Sequence, residues 1–272
     1  MPWLTRCWSG PARQRSGVIA SALAARQPLN NRGVRQLRNE ILMEVYERLQ
    51  DRIPDTGQVQ RIVLFDRETG ARHLSAVLVR LPSAHEFALH THPRSEDCFF
   101  VLSGSGHALQ PSGRFPIAAP AGVWIPAGHP HGLCAGSSGM LEVGFQSPPD
   151  HTAVPFKEAL APPSSLVTSS LQSSLPPAMS LGQWSSVFPG RLAWRHLDAE
   201  YAVLASSQSV TIDSQNFECA IVVASGEIEM LSPSLRRLPA FSAIRLDPRS
   251  SLRLRAAVSP SVLIAVKAYA AA

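Results

Sequence analysis

Residues 90–104 read His90-Thr91-His92-Pro93-Arg94-Ser95-Glu96-Asp97-Cys98-Phe99-Phe100-Val101-Leu102-Ser103-Gly104. Two imidazoles separated by one residue in an extended segment point to the same face, because strand side chains alternate with period two. Pro93-Arg94-Ser95 is a turn signal that lets the chain reverse. The acid pair Glu96-Asp97 then opens an apolar strand that runs to Ser103-Gly104, so a carboxylate at its start can face the two histidines. Farther along, Pro126-Ala127-Gly128-His129-Pro130-His131 sets another imidazole directly after a tight Pro/Gly turn. Three imidazoles and one carboxylate form a nitrogen and oxygen donor set. It suits Fe(II), Mn(II), Ni(II), Zn(II) or Cu(II) and suits Ca or Mg poorly.

Outward from this stretch, the chain is a series of short strand-like runs. Val59–Phe65, Leu74–Leu81, Glu86–His90, Cys98–Leu102, Gly122–Ile125 and Met140–Phe145 are rich in β-branched or aromatic residues and separated by Gly, Pro and Ser. Residues 147–186 contain seven prolines and many serines without periodicity, which predicts a linker or surface wrap. Strand-like runs resume at Leu192–His196, Tyr201–Leu204, Val210–Ile212, Glu218–Val223, Gly226–Met230, Ser242–Leu246, Leu252–Ala256 and Val262–Val266. Before the first block, Ile41, Leu42, Val45, Tyr46 and Leu49 recur at helical spacing, and Pro54 with Gly57 supplies a stop, so one amphipathic helix is expected over Asn39–Arg52.

The two blocks share a local pattern. Cys98–Gly104 and Ala220–Gly226 are both apolar strands ending at Ser-Gly, and Pro120–Pro126 has a counterpart in Pro239–Arg245. This reads as a diverged internal repeat. The expected organisation is an arginine-rich arm plus helix over 1–57, a metal-binding barrel over 58–148, a Pro/Ser-rich linker over 149–188 and a second barrel over 189–272.

At these residues the sequence resembles the cupin superfamily. His90-Thr91-His92, a carboxylate shortly after and Gly104 are similar to the family's first motif, and Pro126-Ala127-Gly128 with His131 to its second. The resemblance implies an all-β protein of two jelly-roll (cupin-type double-stranded β-helix) barrels, a bicupin, with the metal held by His90, His92, His131 and a carboxylate in the mouth of the first. Six residues separate Asp97 from Gly104, the family's usual spacing, whereas three separate His92 from Glu96, also the usual spacing, so the two rules select different acids. Strand register into Gly104 favours Asp97, with Phe99 and Val101 following on its face. Pro120 and Ala135 replace turn-shaping Gly and Asn of the second motif. In the second block the same register sets Ile212, Ser214 and Cys219 where His90, His92 and Asp97 stand, so that half is expected to be structural or dimerising.

Composition narrows the field further. The formal charge is +5, but residues 1–39 carry seven arginines and no acid, which leaves −2 (5 less 7) for residues 40–272. A general phosphate-binding role is thereby disfavoured, and no nucleic-acid partner is expected. The acid-free leader reads equally as a transit peptide, a disordered arm or sequence upstream of a true start at Met43. The apolar runs are too short to cross a bilayer as helices, so no membrane partner is expected. The four cysteines have no two-residue pairing, which points weakly to a cytoplasmic setting.

The expected activity is that of a metal-dependent enzyme on a small organic molecule, a dioxygenase in its most concrete form, with isomerase or lyase chemistry using the same ligands. Glu96 is the candidate base beside the ligands. His107 and His129 are candidate substrate contacts, although isolated histidines are more often plain surface or core residues. The alternative is a non-catalytic binding or sensing module with a structural metal. A homodimer is a candidate assembly.

Overall fold

The computed structural model describes residues 43–150, 152–156, 167–170, 182–188 and 196–269. The arginine-rich arm, and residues 192–195 of the expected strand Leu192–His196, lie outside them. In chain order the strands are β1 Met43–Tyr46, β2 Gln60–Phe65, β3 Ser75–Leu81, β4 Glu86–Thr91, β5 Glu96–Gln110, β6 Gly113–Ala118, β7 Ala121–Ile125, β8 His131–Ser147, β9 Val154–Pro155, β10 Val167–Ser170, β11 Ser185–Ser186, β12 Leu197–Leu204, β13 Ser209–Ser214, β14 Phe217–Ser225, β15 Glu227–Met230, β16 Arg236–Pro239, β17 Ala243–Leu246, β18 Ser250–Ala256 and β19 Ser261–Tyr269.

Each half is a jelly roll of two antiparallel sheets. In the first, β5 and β8 are long enough to belong to both sheets. The start of β5 lies between β7 and the end of β8 in the order β7-β5-β8-β3-β2, and its far end pairs β6 and the start of β8, which pairs β4. The ladder slips between these portions, at Val101/Ser103 and Gly104/Gly106. The second half repeats the arrangement with each long strand broken in two, giving β17-β14-β19-β12 and β13-β18-β15-β16.

The Ser-Gly repeat marks this break in both halves. Gly104 has φ +84° and Gly226 φ +81°, a region that L side chains rarely adopt. A Cβ would also fall 2.1 Å from the Gly139 carbonyl oxygen at the first and 2.4 Å from Ser261 Oγ at the second. The other sequence match needs correction. Asp97 pairs Ile125 and Cys219 pairs Leu246, so Ile125 corresponds to Leu246 rather than to Ile244, a shift of two residues caused by hairpins of different length.

The expected N-terminal helix is largely replaced by strand. Met43–Tyr46 pairs antiparallel with β17, and only a single turn, Leu49–Arg52, is helical; residues 39–42 are outside the described chain. The apolar residues that mimic helical spacing are used otherwise. Met43 and Val45 pack on the interior of the second half, while Tyr46, Leu49 and Ile53 join the cluster between the halves. An open sheet edge offers backbone partners that a short helix does not, and tertiary pairing overrides propensity.

Three apolar clusters hold the fold. One fills the space between the two halves, with Phe100, Trp124 and Phe145 from one side meeting Tyr201, Val222 and Val266 from the other. Phe65, Phe100, Phe145 and Phe188 are almost fully buried, each contributing roughly 2–3 kcal/mol of transfer free energy. The other two clusters line the interiors of the first and second jelly rolls. Described pieces of the Pro/Ser-rich segment add edge strands: β9 to β4, β10 to β7 and β11 to β12. Among the described residues no helix is long and apolar enough to cross a membrane.

Candidate metal centre

β4, β5 and β8 bring His90, His92, Asp97 and His131 to one end of the first jelly roll. His90 pairs directly with His131 across the β4–β8 ladder, and Asp97 opens β5. The three imidazoles offer ligand atoms that all lie within 4.8 Å of one another. Asp97 Oδ2 lies 3.2 Å from His131 Nε2 and 3.6 Å from His92 Nε2.

The backbone sets the tautomer of every ring. His90 Nδ1 bonds Ala88 O, His92 Nδ1 bonds Thr152 O and His131 Nδ1 bonds His129 O, each at 2.9 Å. A carbonyl oxygen only accepts, so each Nδ1 carries the proton and each Nε2 presents a lone pair inward. Burial pushes the His90 and His131 pKa values down to about 4, and the neighbouring His131 charge pushes His90 in the same direction. His92 is also lowered, chiefly by burial. Neutral imidazoles are the form that binds metal.

Asp97 is buried and its Oδ1 has no hydrogen-bond partner among the described residues. Burial raises its pKa to about 7, with the His92 charge opposing. Three inward lone pairs beside a buried carboxyl group form an acceptor-rich cluster, a donor set that a cation can satisfy.

The cluster borders a cavity of about 100 Å³. Val77, Val79, Phe87, Phe99, Ile125 and Leu133 supply apolar walls, and Arg61, Glu142 and Gln146 add polar groups. Glu142 is buried with its Oε2 lacking a described hydrogen-bond partner, and burial, then the nearby Asp97, raises its pKa to about 8. Glu142, Gln146 and Arg61 are polar cavity residues that the sequence reading missed. Glu142 left a signal: a lone acid between Leu141 and Val143 on the inward face of a strand is costly unless used. Arg61, at the exposed edge on β2, left none.

Glu96 is not brought to the cavity, and the base role expected of it is withdrawn. Adjacent strand residues face opposite ways, so with Asp97 inward Glu96 turns out of the jelly roll, where its Oε2 accepts the backbone N–H groups of His196 and Leu197, each at 3.0 Å. Nor do His107 and His129 line the cavity. His129 is buried beside Gln110 and serves the site through its carbonyl, which holds His131.

No family model matches the chain, and no curated protein matches it. Solved structures do. An oxalate decarboxylase–formate complex from Lactobacillus farciminis aligns with a TM-score of 0.61 at 12% identity, over 87% of this chain and 88% of that one. A salicylate 1,2-dioxygenase from Pseudoaminobacter salicylatoxidans with gentisate adducts gives 0.61 at 12%, over 86% and 83%. A cupin 2 conserved barrel domain protein from Leptotrichia buccalis gives 0.58 at 10%, over 86% and 99%. With the doubled jelly roll, these likenesses assign the chain the cupin fold in two copies, the first of which carries the candidate metal centre.

Proposed function

We propose that His90, His92, His131 and Asp97 hold a divalent transition metal (Fe, Mn, Ni, Zn or Cu), and that the protein is a metal-dependent, dioxygenase-like enzyme acting on a small organic molecule. The observation that carries this reading is the acceptor-rich cluster, three inward Nε2 lone pairs beside the buried Asp97 carboxyl group, opening onto a largely apolar cavity. A metal bound there supplies Lewis-acid polarisation of an oxygen-bearing substrate and, if redox-active, activation of dioxygen.

The chain's own residues define the rest. Phe87 and Phe99 exclude water and give a planar substrate apolar contact. Arg61 provides a counter-charge at the cavity edge for an anionic group, which fits with the formate and gentisate bound by two of the similar structures. Glu142, its proton retained up to about pH 8, is the group able to hand a proton to bound substrate or take one from it. It takes the place first expected of Glu96.

Elemental analysis of protein purified anaerobically, wild type against His131→Ala, tests the site. Near-stoichiometric metal in the wild type and about 100-fold weaker retention in the variant are expected. Equal, near-zero metal in both overturns the reading. Oxygen uptake with a panel of enols, phenols and small aromatic acids then tests the activity; metal without turnover on any of them favours a non-catalytic binding or sensing role.

A further inference from the structure

The acid excluded from the cavity has a twin. Ladder registers equate Cys98, opposite Phe145, with Ala220, opposite Val266, and so equate Glu96 with Glu218. Both are buried glutamates one residue into or at the start of the corresponding strand, and both reach across to the other half. Glu96 accepts from the His196 and Leu197 amides. Glu218 accepts from Arg72 N at 2.7 Å, His73 N at 2.7 Å and Leu74 N at 2.9 Å.

The targets also correspond. Arg72-His73-Leu74 leads into β3, Arg195-His196-Leu197 leads into β12, and the two strands hold equivalent places beside β8 and β19. A glutamate and the His-Leu amides that it accepts from are thus repeated in both halves and engaged crosswise, as a two-fold pair would be. The surroundings of the two glutamates differ. Arg245 lies 3.9 Å from Glu218, and the residue at its place in the first half, opposite Cys98, is Trp124.

The consequences differ because the following residues differ. Cys219, after Glu218, points into a filled apolar interior, whereas Asp97, after Glu96, points at His92 and His131. We infer that Glu96 is a positioning residue for the metal centre: anchored on the second half, it fixes the rotation of the first turn of β5 and thereby holds the Asp97 carboxylate against the imidazoles. The second jelly roll, with no such ligand cluster among its described residues, is then a scaffold for the site in the first. This inference rests on the metal reading above.

The test measures Co(II) affinity through the visible absorption of the bound ion, melting temperature without metal, and amide hydrogen exchange, in full-length wild type, Glu96→Ala, Glu96→Gln, Glu218→Ala and Glu218→Gln. Expected is a loss of affinity of about 10-fold or more in Glu96→Ala, partly restored in Glu96→Gln, whose amide oxygen still accepts. The Glu218 variants lower the melting temperature at least as much but leave affinity within about threefold of wild type. Exchange quickens at 196–197 in the Glu96 variants and at 72–74 in the Glu218 variants. Wild-type affinity in Glu96→Ala, or equal losses from Glu96 and Glu218 variants, overturns the positioning role. Should either alanine variant fail to fold, the two glutamine variants must still rank in this order. A wild type that binds no Co(II) overturns the metal reading instead, and exchange at 196–197 still decides whether the clamp exists.

Discussion

The two jelly rolls have the same strand order and opposite interiors. Ladder registers equate His90, His92, Asp97 and His131 with Ile212, Ser214, Cys219 and Leu252, and Glu142 with Leu263. In the second half Ile212, Cys219, Leu252 and Leu263 belong to a single buried apolar cluster, and Ser214 turns its hydroxyl to the Asp247 and Ser250 carbonyls. In the first half the same places enclose a cavity ringed by acceptors. One backbone therefore supports either a packed core or a hollow polar site. The substitutions that separate them are few, because a strand interior changes character with each inward residue. The hollow half is expected to be the less stable of the two, as functional sites commonly are.

Exchanging Asp97 and Cys219 should break the comparison most sharply. Cys219→Asp places an unpaired carboxylate in a filled apolar interior and is expected to destabilise by about 3 kcal/mol or more in chemical denaturation. Asp97→Cys is expected to do the reverse in the metal-free protein, raising stability while weakening metal retention. An Asp97→Cys variant less stable than metal-free wild type would show that the buried carboxylate is already satisfied.

Alanine at the paired positions 131 and 252 should separate function from packing. Leu252→Ala leaves a cavity in a tight cluster and is expected to cost about 2–5 kcal/mol by urea unfolding, with metal content unchanged. His131→Ala is expected to lose the metal with a smaller effect on metal-free stability. A matching loss of metal from Leu252→Ala would mean that the second interior controls the first site more directly than its backbone contacts imply.

A smaller effect should appear with pH. In the folded protein Glu142 keeps its proton to about pH 8, whereas its ordinary value is 4.5. Between those values the unfolded chain has released a proton that the folded chain still holds, so stability falls as pH rises. Glu142→Leu, which copies Leu263, should flatten that fall in the metal-free protein and raise its melting temperature at pH 8 more than at pH 5. Equal gains at the two pH values would show that Glu142 does not titrate in this window.

Much of the site is legible in the sequence because its logic is local. His90 and His92 share a face through strand alternation, and His131 follows a rigid turn, so the imidazole cluster is written in spacings of a few residues. Ser103-Gly104 and Ser225-Gly226 are likewise legible, since a left-handed, crowded position leaves glycine little alternative. The loop-like composition of 105–118 conceals the end of β5, held by the β8 ladder rather than by propensity, and all of β6, held in the same way by β5.

What only the tertiary structure decided are the features that depend on a distant partner. Sequence spacing set Asp97 and Glu96 against each other; the cavity on one face of β5 and the amides of His196 and Leu197 on the other assign them different places. Met43–Tyr46 carries a helical pattern, yet the free edge of β17, some two hundred residues later, makes it a strand. Arg61 and Glu142 enter the cavity only when β2 and β8 are laid beside β3 and β5. By itself the sequence determined which chemistry could be present and on which strands, because alternation and turn geometry are short-range. Which of two adjacent acids faces that chemistry was settled by long-range pairing, which no local pattern encodes.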